Sequence, residues 1–281
     1  MNMNRRLIKF EIRKLLTDKK FVFVFLSFYF FFLCDTVEKI FYFSSYGKLK
    51  SVDFPAASFF QLEIDLRILM LYYFIFGFFA APLIYADNYS NEKIDSGVFI
   101  PTVHRSGRKI ISIKAALVFF SAFFVNLIPN LLSQVSYLFI APSRSPGYCG
   151  RLTLYNRHAF LGTENFNFKS LYEFSPYLAN AFTAVRVALF FAVYALFVYS
   201  MLLFTNRKSW VVILAAGIIT FSLEYILGTL GFHDLIITNY FFTKANDGAS
   251  HPVYYFAIVT AMLAASLIMI YCKIRIKKDE V

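Results

Sequence analysis

Tyr177-Leu-Ala-Asn-Ala-Phe-Thr-Ala-Val-Arg-Val-Ala-Leu-Phe-Phe-Ala-Val-Tyr-Ala-Leu-Phe-Val-Tyr-Ser-Met-Leu-Leu-Phe204 carries one charged side chain, Arg186, in an otherwise apolar stretch. Its length exceeds the ~20 residues that a helix needs to cross about 30 Å of hydrocarbon. It is read as a membrane span, and it fixes the solvent for the rest of the chain. Further apolar runs at about 21–43, 67–86, 115–141, 210–232 and 253–272 are read in the same way. The expected fold class is therefore all-α: a polytopic membrane protein with six transmembrane helices, forming a single domain over 1–281.

Composition agrees. Of the 281 residues, 59% are hydrophobic and 37 are Phe, too little polar surface to cover a soluble globule. Mean hydropathy is +0.59. The net charge of +11 reads as orientation and contact with anionic headgroups, not as nucleic-acid binding, for which no motif is present.

Residues 1–20 are too charged for the n-region of a signal peptide and precede no small-x-small cleavage site. Leu7, Ile8, Ile12, Leu15 and Leu16 recur at helical spacing, with Arg5, Arg6, Lys9, Arg13 and Lys20 on other faces. An amphipathic interfacial helix is expected. Lys and Arg concentrate in this helix, in the 87–114 and 205–209 connections and in the C-terminal tail. That bias predicts both termini on the cytoplasmic side. Lys273, Arg275, Lys277 and Lys278 close the last span as an inside anchor. Outer loops fall at about 44–66, 142–176 and 233–252, and Ser170–Phe174 is expected to form a short helix ending before Pro176.

Catalytic signals are weak. His104, His158, His233 and His251 are scattered, and the sequence holds neither H-E-x-x-H nor G-x-S-x-G. His233, Asp234 and His251 could meet at the outer surface, though solvated loop residues are the simpler reading. No P-loop motif is present, so nucleotide phosphates are not expected to bind here. No catalytic, cofactor or metal residue is assigned. Cys34, Cys149 and Cys272 lack metal spacing; Cys34 with Cys149 as a pair, or three free thiols, are both open.

Polar groups inside the spans are sharper, because burying them in lipid is costly. Arg186 and Glu224 sit at similar depth in the outer halves of their spans, and an ion pair between them is expected. It would be either a structural staple or part of a substrate path. Asn126, Asn130 and Gln134 recur at i, i+4, i+8, one helix face beside Pro129. That stripe is either interhelical hydrogen bonding or the lining of a path or dimer seam.

The segment between the second and third spans runs Asp87-Asn-Tyr-Ser-Asn-Glu-Lys-Ile-Asp-Ser-Gly97 through Arg108-Lys-Ile-Ile-Ser-Ile-Lys114. It is acidic, then has a glycine, then turns basic. Its order, Glu92-x4-Gly97-x10-Arg108-x5-Lys114, resembles that of type-2 ABC (ATP-binding cassette) exporter permeases. The layout of six spans behind an amphipathic helix is similar too, as, weakly, is Glu11-Ile-Arg-Lys-Leu-Leu16. The chain departs from the pattern at Pro101, within the expected coupling helix, and at Arg105, where many members have proline.

The resemblance implies a permease subunit of a bacterial plasma-membrane exporter, moving an amphipathic or apolar substrate such as a peptide, a lipid-like molecule or a drug. Glu92, Asp95, Gly97, Arg105, Arg108 and Lys114 would form the loop that couples it to a separate ATPase subunit. That subunit would hold the ATP and magnesium, and a second permease chain, identical or related, would complete the assembly. This chain would not be an enzyme by itself. A peptide-sequestering immunity or sensor protein, and a membrane-embedded enzyme acting on lipid, are the competing classes.

Overall fold

The structure is a computed structural model that describes residues 2–45, 68, 71–86, 107–140, 169–205, 207–241 and 252–279. Its elements are helices α1 (Asn2–Thr17), α2 (Lys19–Ser45), a π-helical turn (Leu71–Phe76) running into α3 (Gly77–Leu83), α4 (Gly107–Ile140), α5 (Lys169–Phe174), α6 (Pro176–Leu202), α7 (Ser209–Thr229) and α8 (Pro252–Asp279). Two 3-10 turns, His233–Leu235 and Ile237–Tyr240, lie between α7 and α8. Among the described residues there is no strand.

Among the described residues, five helices are long and apolar enough to cross a membrane: α2, α4, α6, α7 and α8. The sixth expected span, 67–86, is described continuously only from Leu71, as the π-helical turn and α3. The expected starts and ends shift by a few residues, with two larger differences: α8 runs on to Asp279 rather than ending at Cys272, and α4 starts early. α4 begins at Gly107 rather than Ala115, so Arg108 to Lys114 are helix, continuous with the span. Pro129 lies inside α4 without ending it.

α6 is the axis of the bundle. Ser175 caps its first turn by accepting a hydrogen bond from the Leu178 amide, and Pro176 occupies the first helical position, where no N–H is needed. Of its membrane-length window 72% is buried, against 28% for α7 and 22% for α8, so α6 is surrounded and the others present wide faces outward. It packs on α4, α8, α3, α5 and α7. Lipid tails are as apolar as leucine, so close packing and polar contacts, not the hydrophobic effect, hold such helices together.

The buried stripes follow helical spacing. On α2 they are Val24, Phe28, Phe32 and Asp35; on α4, Ile111, Ala115, Val118, Ala122, Asn126, Asn130 and Tyr137. α1 buries only Glu11 and Leu15 among its described side chains, while Ile8, Ile12 and Leu16 stay exposed. That exposed apolar edge fits a helix lying against an apolar surface.

An aromatic core fills the space between α2, the π-helical turn, α3 and α6. Phe78 meets Phe191 and Tyr194 edge-on, with centroids 5.6 and 5.1 Å away. Phe28 meets Tyr72 at 4.8 Å. Gly77 lets α3 approach α6: a Cβ there would fall 2.5 Å from Phe191 Cζ and 3.1 Å from the Tyr72 carbonyl. Gly77→Val is therefore expected to destabilise the bundle by about 1–3 kcal/mol through overpacking. Gly228→Ala, whose Cβ would meet Ile236 Cδ1 at an ordinary 3.5 Å, should not. Thermal unfolding in mild detergent, followed by circular dichroism, checks this; equal midpoints for the two variants would mean that the α3–α6 seam is not tight.

Candidate functional site

The polar chemistry sits in the seams between helices. Tyrosine hydroxyls supply most of it, because a buried phenol carries an apolar ring and a donor that needs an acceptor. Tyr72 donates to Asn126 Oδ1 at 2.7 Å, joining the π-helical turn to α4. Tyr137 donates to Asp35 Oδ2 at 2.7 Å, joining α4 to α2. Tyr199 donates to the Ile111 carbonyl at 3.2 Å, joining α6 to α4. Tyr255 donates to the Arg186 carbonyl at 2.6 Å, joining α8 to α6. Tyr85, just past α3, donates to Glu11 Oε2 of α1, and both side chains are buried.

The expected ion pair between Arg186 and Glu224 is not formed. Arg186 is buried, with Nη2 3.1 Å from Thr183 Oγ1 and its guanidinium 5.6 Å from the Phe182 ring centroid and 5.8 Å from that of Tyr255. A cation over aromatic faces is attracted by the ring quadrupole. Glu224 takes the Thr238 hydroxyl at 2.8 Å instead. The physical reason is the segment after α7. Read as an outer loop from sequence, it folds back, and Ile237, Thr238, Tyr240 and Phe241 are buried. The Phe241 ring packs 5.1 Å from Phe190 and 5.5 Å from Tyr73, beside the centre of α6. Thr238 thus reaches Glu224 from the neighbouring turn. Gly231, at φ 80°, lets the chain reverse beyond α7.

Asn126, Asn130 and Gln134 are all buried on α4. Asn126 serves Tyr72 and donates to the Ala122 carbonyl at 2.7 Å, and Gln134 donates to the Tyr177 carbonyl of α6 at 3.2 Å. Asn130 donates to the Asn126 carbonyl at 3.4 Å. These are contacts along and between helices. Asn130 Oδ1 and Gln134 Oε1 are buried acceptors with no donor among the described residues.

Of the expected coupling residues, Lys114 is buried, one turn from Ile111 on α4. Arg108 lies in the first turn of α4. Glu92, Asp95, Gly97, Arg105 and Pro101 lie outside the described residues, as do Cys149 and His251. Cys34 and Cys272 are free thiols. His233 is exposed. Among the described residues, no group of three or more His, Cys, Asp or Glu could hold a metal ion. Glu11 entered the sequence reading only through a weak resemblance; its signal was a lone carboxylate on the apolar stripe one turn before Leu15.

The fold defines a class: a helical protein with, among the described residues, five helices long and apolar enough to cross a membrane, tied by polar contacts at its seams. No protein-family model, curated protein or solved structure matches this chain.

The Tyr72–Asn126 contact supports a test of the seams. Asn126→Leu leaves a buried phenol without this acceptor and should cost about 1–3 kcal/mol. Adding Tyr72→Phe should recover most of it, because removing both partners is far less costly than removing one. A double-mutant cycle on unfolding in detergent measures the recovery, and simple additivity would refute the contact.

Proposed function

We propose that this chain is the membrane-spanning permease subunit of an ATP-driven exporter of the type-2 ABC kind, with six spans and both termini in the cytoplasm of a bacterial cell. A separate ATPase subunit would bind ATP and magnesium. A second permease chain would complete the path for an amphipathic or apolar substrate.

The observation that carries this reading is the anchoring of both roots of the 87–106 segment. On the near side, Tyr85 is tied to Glu11 of α1. On the far side, the first turns of α4 are tied through the Ile111 carbonyl to Tyr199 near the end of α6. The same end of the bundle gathers basic side chains: Lys19 and Lys20, Arg207 and Lys208, and Lys273, whose ammonium lies 5.4 Å from the Phe204 ring centroid. A charged segment held between two stiff roots can pass a push from a partner into the bundle as rigid-body motion. Basic residues at that end favour its cytoplasmic placement. Arg108, in the first turn of α4, would move with the helix rather than with a loose loop.

Purification of the tagged chain in mild detergent is the primary test. A stoichiometric ATPase subunit is expected to co-purify, and its absence across several detergents would remove the exporter reading. In the reconstituted complex, Glu11→Ala removes a charge-assisted contact worth about 1.5–3 kcal/mol. It should reduce substrate-stimulated ATP hydrolysis while leaving the basal rate unchanged, and Tyr85→Phe should reproduce the effect. Stimulation at wild-type levels in both variants would separate α1 from coupling.

A further inference from the structure

Glu224 is the one acidic side chain of α7, and it is buried to 7% exposure. Its Oε2 accepts the Thr238 hydroxyl at 2.8 Å. Its Oε1 is sealed from solvent and reaches no hydrogen-bond donor among the described residues. Arg186, the basic side chain expected to serve it, is occupied with Thr183 and the rings of Phe182 and Tyr255.

A buried carboxyl without a counter-charge is costly to ionise, and a cation placed beside it would favour the ionised form and be held by it. Two further features narrow the kind of cation. Glu224 lies five residues from Thr229, roughly 7 Å from the end of α7, so it is not deep in the bundle. Phe221, about one turn earlier on the same face, is 48% exposed, and Leu223 and Tyr225, to either side of Glu224, are 57% and 69% exposed. An amphiphile lying along that face would have its apolar part in place and a carboxylate one side chain away.

We infer that Glu224 is a recognition point for the positively charged group of a lipophilic cation, with the Thr238 hydroxyl holding the carboxylate until such a group displaces it. That the bound cation is cargo rests on the exporter reading; that it binds does not. The recognised class is an organic ammonium, phosphonium or guanidinium carried on an apolar body. The partner in the exchange is a hydrogen bond, so the site reopens without breaking an ion pair.

The test uses the purified full chain alone in a neutral detergent, with tetraphenylphosphonium and tetraphenylborate as probes of the same shape and opposite charge. Equilibrium dialysis measures both. The phosphonium is expected to bind more tightly than the borate. Glu224→Gln, which keeps the shape and still accepts from Thr238, should weaken phosphonium binding at least about tenfold, the loss of one buried charge interaction. It should leave the borate unchanged. Thr238→Val, which removes the competing hydroxyl, should tighten phosphonium binding. Equal binding of the two probes, no binding of the phosphonium, or wild-type affinity in Glu224→Gln would each overturn the proposal. Because no ATPase subunit is present, phosphonium binding lost in Glu224→Gln stands even if co-purification fails. Only the role as cargo would then fall.

Discussion

A phenol buried among hydrocarbon is stabilised by an acceptor, and five of those in this bundle find one across a helix seam, while the buried Tyr194 hydroxyl has none among the described residues. Tyr72, Tyr85, Tyr137, Tyr199 and Tyr255 each bridge two different elements. The rings add edge-on aromatic packing, and the hydroxyls add direction that packing alone lacks. Between apolar helices in lipid, direction is the scarcer quantity, since any leucine face fits any other moderately well. The seams are therefore defined at points rather than along stripes.

Those points are spread through the thickness of the bundle. Along α4 alone they fall at Ile111, Asn126 and Tyr137, separated by about 22 and 16 Å at 1.5 Å per residue. α4 is thus tied to α6 near one end, to the π-helical turn in the middle and to α2 near the other. Ties at three heights oppose tilting as well as sliding. The α7 side of the bundle is different. α7 buries a narrow line of Ser209, Val212, Ile213, Ala216 and Gly217, and its Glu224 is tied to the chain's own returning segment rather than to a neighbouring span. One flank is stapled and the other leans.

Helix content and placement were legible in sequence because long apolar runs and helical spacing are local signals. The span at Pro176–Leu202 and the short helix at Lys169–Phe174 match the expectation within a residue or two. Polar partners were not legible. Arg186 and Glu224 have the right charges and depth to pair, yet depth along a helix does not give azimuth around it, and Thr238 reached Glu224 first. The return of 233–241 into the bundle was hidden by its position between spans. Its composition held the clue: Leu235, Ile236, Ile237, Tyr240 and Phe241 are too apolar for a solvated loop. The extension of α4 back to Gly107 was hidden by charge, because Arg108, Lys109 and Lys114 read as a headgroup anchor while being compatible with helix.

The tyrosine ties also impose an order on synthesis. Asp35 is made 102 residues before the phenol that it accepts, Glu11 is made 74 before Tyr85, and Ile111 is made 88 before Tyr199. At a synthesis rate of about 5–20 residues per second, each waits several seconds for its partner. Through that interval α2 has to hold a carboxylate at the edge of the hydrocarbon without its seam. α6, the axis of the bundle, emerges after α2 and α4. The ties among α1, α2, the π-helical turn and α4 can form before α6 is made, and Tyr199 then fixes the central helix to a group already joined.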